Sequence, residues 1–167
     1  MRTSNANGGR VSSRRAHRRT GPFWDAVEGR APLPPAAATL GLEVIDVDPE
    51  GGTIKVAFTA TRAFTTPRGD VLEGFLAAML HDTLGPAVIA TLEPGQFITT
   101  VNLDSQFLRR AYPGRLVGRG RVLRRHGDVA FAIADLRDSD GVVVATGSAT
   151  IRVTRFGVLG ARVRPAA

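Results

Sequence analysis

The chain has 167 residues, 43 % hydrophobic and 22 % charged, enough for one domain with a real core but not for two ordinary ones. It contains no Cys, which excludes disulfides, thiolate metal sites and a cysteine nucleophile, and no uninterrupted apolar stretch reaches the ~18 residues of a membrane span. The net charge of +7 has a local origin: six of the 22 Lys and Arg (Arg2, Arg10, Arg14, Arg15, Arg18 and Arg19) fall in residues 1–20 with no acid beside them, leaving 16 basic groups against 15 acidic ones.

Residues 1–20 are rich in Arg, Ser, Gly and Asn and lack apolar periodicity, so they read as a disordered basic tail. Their composition also resembles a transit peptide, but no h-region marks a secretory signal. Nucleic acid is not the expected partner, because no aromatics are interleaved with these arginines to stack bases. The expectation is a cytoplasmic protein with a folded domain over residues 21–156 and a flexible C-terminal tail over 157–167.

From Gly21 the texture changes. Pro22 to Gly29 predicts a short helix, with Pro at an early position and Gly closing it. Ala31–Ala38 carries three prolines and reads as a connector. Strands are predicted over Leu42–Val47 and Thr53–Ala60, the second with Ile54, Val56 and Phe58 alternating against Lys55, Ala57 and Thr59, and with Pro49 to Gly52 as the turn between them. Gly74–Leu92 is the one long helix candidate. Its apolar residues recur at Phe75, Leu76, Met79, Leu80, Leu84, Val88 and Leu92, so densely that the helix should be buried on most sides. Gly85-Pro86 predicts a bend rather than an end.

Four strand signals follow: Phe97–Phe107, Leu116–Arg125, Val129–Arg137 and Val142–Val153. The separators His126-Gly127-Asp128 and Asp138 to Gly141 are short, contain Gly and lie between alternating runs, as in antiparallel hairpins. Two strands, one apolar helix and four strands predict an α+β protein, an antiparallel sheet with the helix laid across its face.

That order, with the words Gly69-Asp70-Val71-Leu72-Glu73-Gly74-Phe75-Leu76-Ala77-Ala78-Met79-Leu80-His81-Asp82-Thr83, then Thr99 to Leu103, Phe107-Leu108-Arg109, Pro113-Gly114 and the hairpin from Asp140-Gly141 to Thr150, resembles the hotdog fold, five to six strands wrapped around one long central helix. Within it the chain is most similar to PaaI-type acyl-CoA thioesterases, over roughly residues 22–154. The resemblance implies hydrolysis of acyl-CoA without metal or bound cofactor, in a homodimer or a dimer of dimers, with a carboxylate on the helix of one protomer facing a backbone oxyanion site at the helix start of the other. Thioester hydrolysis needs a base or nucleophile and donors that polarise the carbonyl, and a helix N-terminus offers unpaired N–H groups at its positive end.

The chain departs from the family signature, His or Gln followed by two Gly. A gap-free match puts Leu72 at the His/Gln position, Glu73 at the first Gly and His81 at the catalytic carboxylate. Sliding by one residue puts Glu73 at the His position, Phe75 on a Gly and Asp82 on the carboxylate, and aligns Thr100 with the polar strand residue that orients the nucleophile. Both registers stay open. Asp82 is the first choice, as the only carboxylate on the helix beyond its first residue, with His81 as its backup. The N–H groups of Glu73 and Gly74 are the expected oxyanion site, and the Glu73 side chain narrows the acyl pocket or repels an anionic acyl group. Thr66 stands where the family tends to have Asn, and Arg109 matches the Arg before the turn, a candidate for coenzyme A phosphates. Arg110 replaces the usual Pro, and Arg119, Arg121, Arg124 and Arg125 read mainly as solvated strand positions. Thr100, Asn102, Asp104 and Gln106 are expected on one strand face, Val101, Leu103 and Phe107 on the other. The missing double Gly also motivates a second function, acyl-CoA binding or ligand sensing without catalysis. A hotdog dehydratase ranks third, because its His and acid motif is lacking.

Overall fold

The computed structural model describes residues 20–155; the Arg-rich segment through Arg19 and the C-terminal residues 156–167 lie outside the described residues. Helix α1 (Pro22–Val27) opens with Pro at its first turn, as expected, and lays Phe23 against the core, where its ring meets Trp24 edge-on at 5.1 Å. The proline-rich connector is shorter than expected. Pro35–Thr39 forms a second short helix, α2, with Ala37 buried. A proline at the first helical position loses no hydrogen bond, and the alanines behind it are the best helix formers; the prolines that read as a break in fact start the turn.

Six strands form one antiparallel sheet: β1 (Glu43–Asp48), β2 (Thr53–Ala60), β3 (Gln96–Phe107), β4 (Gly114–His126), β5 (Val129–Arg137) and β6 (Val143–Arg155), in the order β1-β2-β4-β5-β6-β3. The β1–β2 turn is held by Asp48, whose Oδ1 accepts from the N–H groups of Glu50 and Gly51 at 3.1 and 3.0 Å, an Asx turn. Strand β3 lies at one edge, paired on one side only, with β6.

Helix α3 (Glu73–Ile89) lies across one face of this sheet and runs through Pro86 without a break. It ends at Ile89, short of Leu92, because Thr91 and Leu92 donate to the carbonyls of Val88 and Ile89, three residues back, and tighten the last turn. Leu76, Met79, Leu80 and Leu84 from the helix meet Phe58, Leu116, Leu136 and Ile151 from the sheet, all at most 1 % exposed. Each such side chain contributes roughly 1.5–3 kcal/mol by leaving water.

The helix sits close at Thr83 because β4 places glycines, Gly118 and Gly120, beneath it. A Cβ on Gly118 would collide with Thr83 Oγ1, and one on Gly120 would stand 2.9 Å from the Thr83 carbonyl oxygen. Thr83 is fully buried and donates its hydroxyl to Met79 O at 2.8 Å, so it cannot yield cheaply. Gly120→Ala is expected to lower stability by about 1–3 kcal/mol, the usual range for overpacking. An unchanged midpoint in urea unfolding would contradict this.

Candidate active site

The start of α3 is fixed by two backbone hydrogen bonds. Val71 N donates to Ala111 O at 2.8 Å and Leu72 N to Phe64 O at 2.9 Å, tying the segment to the residues after β3 and to the single helical turn Arg62–Phe64. Phe64 stacks on Phe75 with ring centroids 4.1 Å apart. Leu72 is extended and caps nothing with its side chain, and the first helical residues, Glu73 and Gly74, are exposed. Their N–H groups are among the orphan donors of a helix start, and no atom would meet a Cβ on Gly74 within 4 Å. Beside them lies a cavity of about 220 Å³, whose wall includes Glu73, Asp70, Leu76, Phe107 and Arg109. Arg109 therefore borders the same cavity as Glu73.

Thr66 is committed elsewhere. Its hydroxyl donates to Asp70 Oδ1 at 2.8 Å and its N–H to Asp70 O at 2.8 Å. Asp70 is buried, and the Thr66 hydrogen bond, with help from Arg68 at 3.5 Å, holds its carboxyl below the usual range. Sequence reasoning passed over Asp70. The available signal was a Thr and an Asp four residues apart around Gly69, whose φ of 87° turns the chain back.

His81 and Asp82 lie two turns down α3. His81, 48 % exposed at its side chain, places Nε2 3.1 Å from Thr100 Oγ1 and Nδ1 3.4 Å from Asp82 Oδ1. A carboxylate only accepts, so in neutral His81 the Nδ1–H donates to Asp82 and the Nε2 lone pair accepts from the Thr100 hydroxyl. The Asp82 hydrogen bond raises the His81 pKa above 6.5, against an opposing effect of partial burial. The second oxygen of Asp82, Oδ2, is buried with no hydrogen-bond partner. Pro86 adds to the local polarity, since without an N–H it leaves the Asp82 carbonyl without its ordinary helix partner.

The expected grouping of Thr100 with Asn102, Asp104 and Gln106 is not what the strand does. A bulge between Thr100 and Asn102 inserts Val101 as an extra residue, so Thr100 pairs with Ile151 and Asn102 with Thr150. Ile151 is fully buried, and cross-strand partners share a face, so Thr100 turns toward α3 together with Leu103. Asn102 is on the opposite face, where its Nδ2 donates to Asp104. That outer face also holds a cavity of about 510 Å³ bordered by Asp104, Gln106, Arg119, Arg121 and Asp135. Arg119 and Arg121 thus lie across the sheet from the helix, while Arg125 donates to Gln96 at 3.3 Å. Asn102 is accordingly separated by the sheet from the His81 cluster.

The helix start and the His81 cluster stand apart within one chain. Eight residues separate Glu73 from His81, roughly 12 Å at the helical rise. Among the described residues no three His, Asp or Glu side chains cluster as a metal ion would need, and no helix is long and apolar enough to cross a membrane.

Comparison with known proteins finds no curated sequence that matches. Residues 68–145 match the family model described as the thioesterase superfamily. A solved thioesterase-like protein of Ralstonia eutropha JMP134, described as related to phenylacetic acid degradation, is 42 % identical, with a TM-score of 0.75 over 78 % of this chain and 98 % of that one. A thioesterase family protein of Silicibacter pomeroyi is 24 % identical with a TM-score of 0.71, covering 80 % of this chain and 99 % of its own. The E. coli PaaI protein is 18 % identical with a TM-score of 0.69, over 81 % and 94 %. The last two share the fold; the first, spanned almost end to end at 42 % identity, carries the family. With its six-stranded sheet around α3, the chain belongs to the thioesterase superfamily of hotdog proteins.

Proposed function

We propose that the chain hydrolyses acyl-CoA thioesters to the free acid and coenzyme A, acting in the cytoplasm as a homodimer that can pair into a dimer of dimers. The observation that carries this reading is His81, held between Asp82 and Thr100 on the open side of α3. Asp82 supplies the carboxylate that the chemistry requires, acting through the imidazole it orients, and His81 takes and returns the proton. The N–H groups of Glu73 and Gly74 polarise the thioester oxygen, and Arg109 beside them is suited to a phosphate of coenzyme A.

Dimerisation follows from the separation of these parts. A carbonyl cannot sit about 3 Å from both a base and donors that are roughly 12 Å apart on one helix. A two-fold partner can bring its own helix start to the first chain's His81. Strand β3 suits that contact: it is a twelve-residue edge strand with Val101 and Phe107 exposed, 59 % and 43 % respectively.

One feature favours the second reading, binding without turnover: Glu73 places an exposed carboxylate at the helix start, beside the proposed oxyanion donors, where the gap-free match to the family signature has Gly. Assaying a panel of short, medium and aromatic acyl-CoAs separates the two. Hydrolysis is expected for at least one, with Asp82→Asn reducing kcat by about 10²-fold or more. Several esters binding with none turned over would establish the binding module instead, and an exclusively monomeric active protein would remove the shared site.

A further inference from the structure

Resting on that hydrolase reading, we infer that Thr100 is the covalent nucleophile, so that hydrolysis proceeds through an acyl-threonyl ester rather than by direct attack of water. The inference comes from the order of groups: carboxylate, imidazole, hydroxyl. Asp82 Oδ1 holds Nδ1 at 3.4 Å, and Nε2 meets Thr100 Oγ1 at 3.1 Å. A hydroxyl beside an imidazole that a third group orients is the arrangement that activates a weak oxygen nucleophile.

Two further observations favour the hydroxyl over water. With Nδ1–H directed at Asp82, the sole lone pair of neutral His81 is Nε2, and Thr100 occupies it. A water activated by that nitrogen would first have to displace the hydroxyl. The bulge at Val101 is the second. Regular alternation after Val101 matches the polar run Thr100, Asn102, Asp104, Gln106, yet the backbone spends an extra residue that puts Thr100 on the helix side and Asn102 on the other. His81 is half exposed, so an acyl carbonyl can reach the pair.

The chemistry balances without further reagents. The Thr100 proton passes to His81 Nε2 as Oγ1 attacks the thioester carbon. Collapse of the tetrahedral species breaks the C–S bond, and coenzyme A leaves with the proton from Nε2. Water then attacks the ester, giving its proton to Nε2; the C–O bond to Thr100 breaks, Oγ1 recovers a proton, and the acid departs.

The test combines rapid acid quench with intact-protein and peptide mass spectrometry during turnover of the best acyl-CoA, followed by a single turnover in ¹⁸O water. The full chain is expected to gain the mass of the acyl group on the β3 peptide. Thr100→Val should abolish that species and lower kcat by about 10²-fold or more, while Thr100→Ser retains the adduct and most of the rate. Turnover within about tenfold of wild type in Thr100→Val overturns the inference alone, as does ¹⁸O entering the Asp82 carboxylate, which would mark an acyl-aspartyl intermediate. A wild-type chain that is neither acylated nor active overturns the hydrolase reading and this step together.

Discussion

His81→Ala is expected to lower kcat by about 10²- to 10⁴-fold, the span general acid–base catalysis supplies, with folding little changed because the side chain is half exposed. The pH profile distinguishes a proton-handling role from a structural one. The working form is neutral imidazole, so activity rises as His81 loses its proton. Because the Asp82 hydrogen bond raises that pKa, the rising limb should be centred above the ordinary 6.5. Asp82→Asn removes the cause of the shift, so the limb should move toward lower pH while its plateau falls. The stability linkage runs the other way: a raised folded-state pKa stabilises the fold at pH below 6.5 and loses that contribution as pH rises through the folded value. Activity therefore climbs where this small stabilisation disappears. A limb that stays in place in Asp82→Asn, or an unchanged kcat in His81→Ala, would remove His81 from the reaction.

The fold was largely legible because its elements obey local rules. Thr53–Ala60 and Val129–Arg137 have the bounds that alternation predicts, since both are flanked by turns and packed on one face. The helix was legible from the density of its apolar residues, and it persists through Pro86 because packing against the sheet outweighs one missing hydrogen bond. What escaped was decided by pairing rather than by composition. The polar run on β3 alternates as a regular strand would, and only its register against β6, with Ile151 opposite Thr100, reveals the bulge. Asp70 escaped because its role depends on a loop folding back on itself, with Thr66 and Arg68 converging on it. For the same reason the two family registers could not be separated in the sequence: they differ by one residue on a helix, and it is proximity to Thr100 that supports giving His81 the proton and Asp82 the orienting role.

The start of α3 allows the oxyanion proposal to be tested one atom at a time. Leu72 has φ −60° and ψ 133°, the conformation a residue before proline prefers, and Glu73 is the first helical residue, where proline is tolerated. Glu73→Pro therefore deletes a single N–H and a carboxylate while leaving the helix able to form. Glu73→Gly deletes the carboxylate and keeps the N–H. If the backbone donor polarises the thioester, Glu73→Pro should lower kcat by about 10²- to 10³-fold, whereas Glu73→Gly should keep kcat and extend turnover to anionic acyl groups that the carboxylate repels. Mixing then tests the two-fold arrangement. In a heterodimer of Glu73→Pro and His81→Ala chains, one of the two shared sites carries both lesions and the other carries neither. Because heterodimers form half of a random mixture, activity should return to about a quarter of wild type. Sites confined to single chains have no intact combination to offer, so a mixture as inactive as its components, once subunit exchange is verified by mass, would refute the shared site while leaving the individual roles of His81 and Glu73 intact.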